Sequence, residues 1–121
     1  MSRRRVVVTG LGIVSPVGNS IKDAWENILA GKSGIGPVTR FDVTDFPVRF
    51  AGEIRGFDVS EYIPAKDARR MGAFIHYGIA AASQAIADAG IEITAANAAR
   101  AGVAIGSGIG GLHGIENTYH A

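Results

Sequence analysis

The sequence predicts an α/β fold, because strand-like apolar runs alternate along the chain with segments of helical periodicity. In chain order the pattern is strand, helix, strand, helix, strand and the start of a further helix, which is typical of helices around a largely central sheet. The 47% hydrophobic and 19% charged content is that of a folded globular domain. No linker divides residues 1–121, which are predicted to form one portion of a single domain.

The N-terminal part of the chain predicts a strand followed by a helix. Residues 5–9 (RVVVT) are a nearly continuous β-branched run, as expected for a strand that is buried on both faces. Ser20 with Asp23 three residues later is close to a capping box, which predicts a helix start. Apolar residues at helical spacing follow, and Gly31 marks the end of this helix.

The middle of the chain predicts a loop, a second strand and a long helix. Residues 32–47 contain two glycines and two prolines and are predicted as loop. Residues 48–54 (VRFAGEI) alternate in the manner of a strand. Between residues 66 and 89 the apolar side chains recur at helical spacing, which predicts one continuous helix that starts after Pro64 and ends at Gly90.

The C-terminal part of the chain predicts a third strand over residues 101–107, a glycine-rich turn and a helix start near residues 112–119. No clear stop signal follows this last helix. Three strands with their helices would leave a sheet edge and an apolar helix uncovered. We therefore expect the chain to be the N-terminal piece of a longer protein.

Charge and composition argue against several classes of function. A net charge of +1 is too balanced to indicate a nucleic acid or a membrane as the partner of the whole chain. No apolar run approaches the length of a membrane span, and the N-terminus lacks a signal pattern. The absence of cysteine excludes disulfides and thiolate catalysis within these residues. A cytoplasmic protein is the expectation.

The glycines after the third predicted strand allow two interpretations. Gly106-x-Gly108-x-x-Gly111 matches the letters of the dinucleotide-binding fingerprint, which also requires an acidic residue about 20 residues further on. That position lies beyond residue 121. A small Rossmann-like nucleotide-binding module therefore stays one hypothesis. The other is a tight strand-to-helix turn that approaches another backbone or a ligand.

Candidate catalytic and metal-binding residues are few. Ser107 would need glycines two positions to either side to form a nucleophile elbow, and both positions hold isoleucine. His76 lies among apolar residues and is interpreted as a packed or surface histidine. His113 and His120 lack a third ligand at metal spacing, so no metal site is predicted.

A group of cations is the more informative polar feature. Lys66, Arg69 and Arg70, hereafter the basic cluster, follow the i, i+3, i+4 spacing that places side chains on one helical face. Cations near a helix start oppose the helix dipole, so the arrangement is predicted to be locally unfavourable. Either this is a solvated face, or it is a docking patch for an acidic partner, for which complementary charge speeds encounter.

Three segments together resemble the β-ketoacyl-[acyl-carrier-protein] synthases, and most of all the type II enzymes that elongate fatty acyl chains in bacteria. These segments are VVVTGLGIVSPVGNS, RFDVTDFPVRFAGEI and AIGSGIGGLHGIE. The resemblance covers all 121 residues in order. It implies a thiolase-like fold, in which two similar halves stack as α-β-α-β-α layers, and a homodimer without a nicotinamide or flavin cofactor.

The resemblance also implies a reaction. Such enzymes transfer an acyl chain from acyl carrier protein to a cysteine, decarboxylate malonyl-carrier protein with the help of two histidines, and join the two by Claisen condensation. The family's cysteine and histidines lie downstream of the matched segments, so no catalytic residue is assigned here and the isolated chain is expected to be inactive. A non-catalytic relative that pairs with an active synthase is a further hypothesis.

Two functional regions carry over by resemblance to residues of this chain. Gly108 and Ile109 correspond to the loop that borders the acyl pocket near the dimer interface, where the isoleucine limits the pocket. The basic cluster corresponds to the docking surface for acyl carrier protein. Gly72 replaces an acidic residue that the family's helix carries, and it is expected to loosen that helix slightly.

Overall fold

The computed structural model describes residues 3–119, which form four α-helices, two short strands and two 3-10 turns. In chain order the elements are α1 (Ile21–Leu29), β1 (Ile35–Pro37), β2 (Phe50–Gly52), a 3-10 turn (Val59–Glu61), α2 (Ala65–Ala68), α3 (Ala73–Ala89), a 3-10 turn (Ala98–Arg100) and α4 (Leu112–Tyr119).

Helix α1 begins where the sequence predicts it. The backbone N–H of Asp23 donates to Ser20 Oγ at 3.1 Å, and the Ser20 hydroxyl donates in turn to Asp23 Oδ2 at 2.8 Å. The Asp23 carboxylate therefore accepts from the Ser20 hydroxyl. In a complete capping box it would instead accept from the backbone N–H of Ser20. Gly31, with a φ of +65°, follows the C-cap Ala30. The predicted helix is confirmed.

The two strands form an antiparallel pair in which Gly36 lies opposite Ala51. The second predicted strand is confirmed in a shorter form, as β2. The prediction of loop over residues 32–47 is wrong at β1. The sequence of β1, Ile-Gly-Pro, has no alternation of apolar and polar residues that would predict a strand. It forms a strand because its backbone makes hydrogen bonds with β2.

The long predicted helix is divided in two. After α2, the N–H groups of Arg70 and Met71 bond carbonyls three residues back, at 3.0 and 3.2 Å, which tightens the chain into a turn. Gly72 then adopts an extended conformation (φ −71°, ψ 155°) and becomes the N-cap of α3. Glycine is a poor residue for a helix interior, so it ends the helix here instead of only loosening it. Gly90, at φ +62°, ends α3 as predicted.

Two predicted strands do not form among the described residues. Residues 5–9 and 101–107 have no strand paired with them within residues 3–119. Their apolar side chains face outward, with Val6 90% and Val103 78% exposed. A strand requires hydrogen bonds from a neighbour, which hydrophobicity and β-branching cannot replace. Among residues 3–119 the predicted central sheet is therefore not formed, and the pairing that is present joins β1 and β2.

Residues 10–19, hereafter the N-terminal glycine loop, lie on α3. The backbone N–H of Leu11 donates to Asp88 Oδ2 at 2.9 Å, and that of Ile13 donates to Gln84 Oε1 at 3.1 Å. Gln84 Nε2 donates to the carbonyl of Asn19 at 2.8 Å. Gln84 and Asp88, one helical turn apart on α3, therefore provide hydrogen bonds to backbone groups of the loop, which has no neighbouring strand among the described residues.

The glycines of this loop permit its close approach to α3. A Cβ on Gly12 would collide with the carbonyl oxygen of Ala81 and would lie 2.8 Å from the nitrogen of Ala85. A Cβ on Gly10 would collide with the carbonyl oxygen of Ala85 and lie 2.7 Å from the Cβ of Ala89. The loop and the helix thus fit because small residues stand on both sides.

The buried apolar core of the described residues is small. Its members below 9% exposure are Ala24, Ile63, Ala68 and Ala80. Much larger apolar side chains, including Trp25 on α1, remain more than half exposed. Of the helices between residues 3 and 119, none combines the length and apolar character needed to cross a membrane.

We predict that the isolated 121-residue chain is aggregated or unfolds without cooperativity, because its exposed apolar surface greatly exceeds its core. Size-exclusion chromatography and thermal unfolding followed by circular dichroism test this. A soluble monomer with one sharp two-state transition would contradict the prediction.

Replacing Gly12 by alanine is expected to lower the free energy of opening of α3 by about 1–3 kcal/mol, since the new Cβ must push the loop away from the helix. Hydrogen exchange of α3 peptides measures this opening. Gly102→Ala is the matched control, because no described atom lies within 4 Å of its added Cβ. Equal protection of α3 in the two variants would refute the expectation.

Candidate functional site

The basic cluster lies on α2 and on the turn that follows it. All three side chains are exposed. They do not share one face of a long helix as predicted, because α2 ends at Ala68, Arg69 is its C-cap and Arg70 lies on the tightened turn. The three cations nevertheless lie within five consecutive residues of the chain.

The position of the cluster relative to the helix dipole is the reverse of the prediction. Because α2 has only four residues, Lys66 lies in its last turn and both arginines lie at or beyond its end. Cations at a helix C-terminus interact favourably with the dipole. For Arg69 and Arg70, the unfavourable arrangement that a long helix implied is therefore absent.

Two of the three cations have free side chains with respect to the described residues. Arg69 Nε donates to the carbonyl of Ala65 at 3.3 Å, which turns this side chain back along its own helix. Lys66 and Arg70 form no side-chain hydrogen bond or ion pair within residues 3–119. Their charges remain available to an external anion.

Helix α2 starts at its own N-cap, and its C-terminal end contacts α3. The carbonyl of Pro64, its N-cap, accepts from the N–H groups of Asp67 and Ala68 at 2.9 and 3.0 Å. Ala68 at its end and Ile63, which precedes the N-cap, are buried. At its C-terminal end, His76 Nε2 of α3 lies 2.9 Å from the carbonyl oxygen of Ala68. His76, which the sequence analysis interpreted as a packed or surface histidine, is half-buried, and its ring contacts this backbone carbonyl.

Residues 106–111, hereafter the glycine-rich loop, lead from the segment that was predicted as the third strand to α4. Gly111 adopts a φ of +80°, which glycine tolerates best. A Cβ on Gly110 would lie 2.5 Å from the ring of Phe74, in the first turn of α3. Ile109 is 83% exposed, and no described atom lies within 4 Å of a Cβ placed on Gly108. The loop thus rests on Phe74 and presents an apolar side chain outward.

An open groove borders this loop along α4. Its lining residues are Gly111, Gly114, Ile115, Thr118 and Tyr119. Its lining is predominantly apolar, and it is shallow and widely open to solvent. Exposed apolar side chains of this kind are commonly covered by another protein surface or a ligand.

The remaining histidines are His113 and His120. His113 Nε2 lies 3.2 Å from Asn117 Nδ2, one turn further along α4. His120 lies outside the described residues. Among residues 3–119 no group of three or more His, Cys, Asp or Glu side chains could hold a metal ion.

Sequence reasoning missed Glu53, which directly follows β2 and is only 8% exposed. Its Oε1 accepts from the Thr39 N–H at 3.0 Å, and its Oε2 accepts from the Thr39 hydroxyl at 2.8 Å. These hydrogen bonds lower the pKa of the Glu53 carboxyl below its ordinary value, with a smaller contribution from the charge of Arg55. The carboxylate ties the strand pair to the loop after β1. No local pattern in the sequence indicates this partner.

The family model described as "Beta-ketoacyl synthase, N-terminal domain" matches residues 3–121. The 3-oxoacyl-[acyl-carrier-protein] synthase 2 of Vibrio cholerae is 57% identical over the full chain, and that of Coxiella burnetii is 50% identical. In both alignments this chain covers 29% of the relative, so it spans about three tenths of their length.

A solved ketosynthase structure has a similar fold. The ishigamide ketosynthase/chain length factor superposes with a TM-score of 0.66 at 37% identity, covering 75% of this chain and 23% of that one. The expected thiolase-like fold is confirmed by this likeness, and the Rossmann-like module is not supported. The match to the family model over residues 3–121 establishes that the chain belongs to the β-ketoacyl synthase family, in the N-terminal domain.

Proposed function

We propose that this chain is the N-terminal part of a type II 3-oxoacyl-[acyl-carrier-protein] synthase, which elongates fatty acyl chains. The observation that carries the proposal is the 57% identity, over every residue of the chain, to a relative named for that activity. The complete protein condenses an acyl thioester with malonyl-carrier protein. In this proposal it acts as a cytoplasmic homodimer.

Within that reaction the chain contributes binding surfaces. Loss of CO₂ from the malonyl group leaves an enolate, whose carbon attacks the carbonyl of the acyl group held as a thioester, and the cysteine thiolate leaves. This chain contains no cysteine, so the cysteine belongs to the remainder of the synthase, and the family resemblance assigns the two histidines there as well. The parts assigned to residues 1–121 are carrier docking and one wall of the acyl pocket.

The docking role belongs to the basic cluster. Acyl carrier protein is an acidic partner, so exposed cations attract it and steer its approach. The free side chains of Lys66 and Arg70 support this role, as does the position of Arg70 just beyond the C-terminal end of α2. Asp67 lies between them and reduces the local charge without cancelling it.

The pocket role belongs to Gly108 and Ile109. The exposure of Ile109 and the predominantly apolar groove along α4 support a surface that an acyl chain or the second subunit covers in the assembled enzyme. The side chain at residue 109 is therefore proposed to limit the length of acyl chain that fits.

A non-catalytic relative that pairs with an active synthase would use the same two surfaces. The two hypotheses differ in whether the full-length protein itself becomes acylated. Incubation with carrier protein that bears an acyl group, followed by mass spectrometry, distinguishes them. A stable acyl adduct on a cysteine supports the synthase. The absence of any adduct in a folded protein supports the non-catalytic relative.

Charge reversal of Arg69 and Arg70 to glutamate in the full-length synthase is expected to weaken acyl-carrier-protein binding about tenfold at low ionic strength. The difference from wild type is expected to shrink as salt is added, because the lost attraction is electrostatic. Isothermal titration at several salt concentrations measures both effects.

The matched control reverses Lys22 and Lys32, which are exposed cations on α1 and the loop after it. This pair changes the net charge by the same amount at another place. Equal weakening by both double variants would indicate a general charge effect, and unchanged affinity in the arginine variant would indicate a solvated face.

Replacement of Ile109 by tryptophan is expected to shorten the pocket. The kcat/KM for long acyl thioesters should fall by at least about tenfold relative to that for the shortest substrate, because added volume excludes the distal methylenes. Assays with a series of acyl chain lengths measure this ratio. A loss that is uniform across the series would place Ile109 outside the pocket.

A further inference from the structure

We propose that His76 is a positioning residue for carrier-protein docking. It holds the C-terminal end of α2 against α3 and thereby fixes where the basic cluster presents its charges. The inference rests on the proposed docking function of that cluster and names a residue outside it.

The contact that carries the inference joins a side chain of α3 to the last residue of α2. His76 Nε2 lies 2.9 Å from the carbonyl oxygen of Ala68 and is half-buried. A carbonyl can only accept, so Nε2 carries the hydrogen and donates it. The same carbonyl also accepts from the Met71 N–H at 3.2 Å. The histidine therefore satisfies the second acceptor position of a helix-terminal carbonyl.

Helix α2 has little stability of its own, which makes this contact matter. One helical turn of four residues does not persist in water without tertiary contacts. Within residues 3–119, the inner side of α2 is held by burial of Ala68, and Arg69 and Arg70 follow directly after that residue. Gly72 separates the cluster from α3 and allows wide backbone freedom.

Loss of the tether is therefore expected to loosen the segment that carries both arginines. A loosened cluster keeps its charge, but it must become ordered when the carrier protein binds, and this ordering lowers affinity. The chemical step does not involve α2, so its rate is expected to be unaffected. The signature of a positioning role is thus a higher KM for the carrier substrate with an unchanged kcat.

The experiment compares His76→Leu and His76→Gln in the full-length synthase. The leucine variant removes the donor at similar volume and is expected to raise the KM for acyl-carrier protein about three- to tenfold. Its kcat is expected to stay that of wild type. The glutamine variant retains a side-chain N–H donor and is expected to recover most of the loss. A small acyl-pantetheine thioester, which has no protein surface to dock, should react equally well with all three enzymes.

Two outcomes would overturn the inference. A leucine variant with wild-type KM for the carrier substrate would show that the contact has no effect on docking. An equal loss of activity with acyl-pantetheine would show a general structural role. The Arg69 and Arg70 double reversal separates this failure from that of the docking proposal: if the reversal weakens carrier binding while His76→Leu does not, only the inference about His76 fails. If the reversal has no effect, the docking proposal fails and the inference fails with it.

Discussion

The close packing of the N-terminal glycine loop on α3 is the contact on which the rest of the structure depends. Two glycines and a row of alanines let backbone approach backbone, and Gln84 and Asp88 supply the hydrogen bonds that the loop needs. Gln84 also donates to Tyr62, next to the 3-10 turn before α2. Because one side chain joins the loop, α3 and the approach to α2, displacement of the loop would disturb all three.

Helix α3 also connects the two proposed binding surfaces. Phe74 in its first turn supports the glycine-rich loop, and His76 two residues later contacts the end of α2. Docking of a carrier protein and accommodation of its acyl chain would therefore use the same helix end. Gly72, as N-cap, sets the direction in which α3 leaves the basic cluster.

The glycines of this chain show that one residue type can serve distinct physical purposes. Gly10 and Gly12 permit close approach to a helix, whereas Gly111 permits a left-handed backbone conformation. The fingerprint that matches Gly106 to Gly111 by letter contains positions with open space around them. Only Gly111 of this fingerprint has a backbone conformation that favours glycine, so the letters alone do not indicate a dinucleotide site.

The sequence by itself determined the features that depend on neighbouring residues: the start of α1 at Ser20, the end of α3 at Gly90 and the identity of the basic cluster. Only the tertiary structure decided the features that depend on distant partners. The pairing of β1 with β2, the hydrogen bonds of Glu53 and the contact of His76 with Ala68 belong to this group. The reason is that caps and helical periodicity are local, whereas strand pairing and the burial of polar groups depend on which segments the fold brings together.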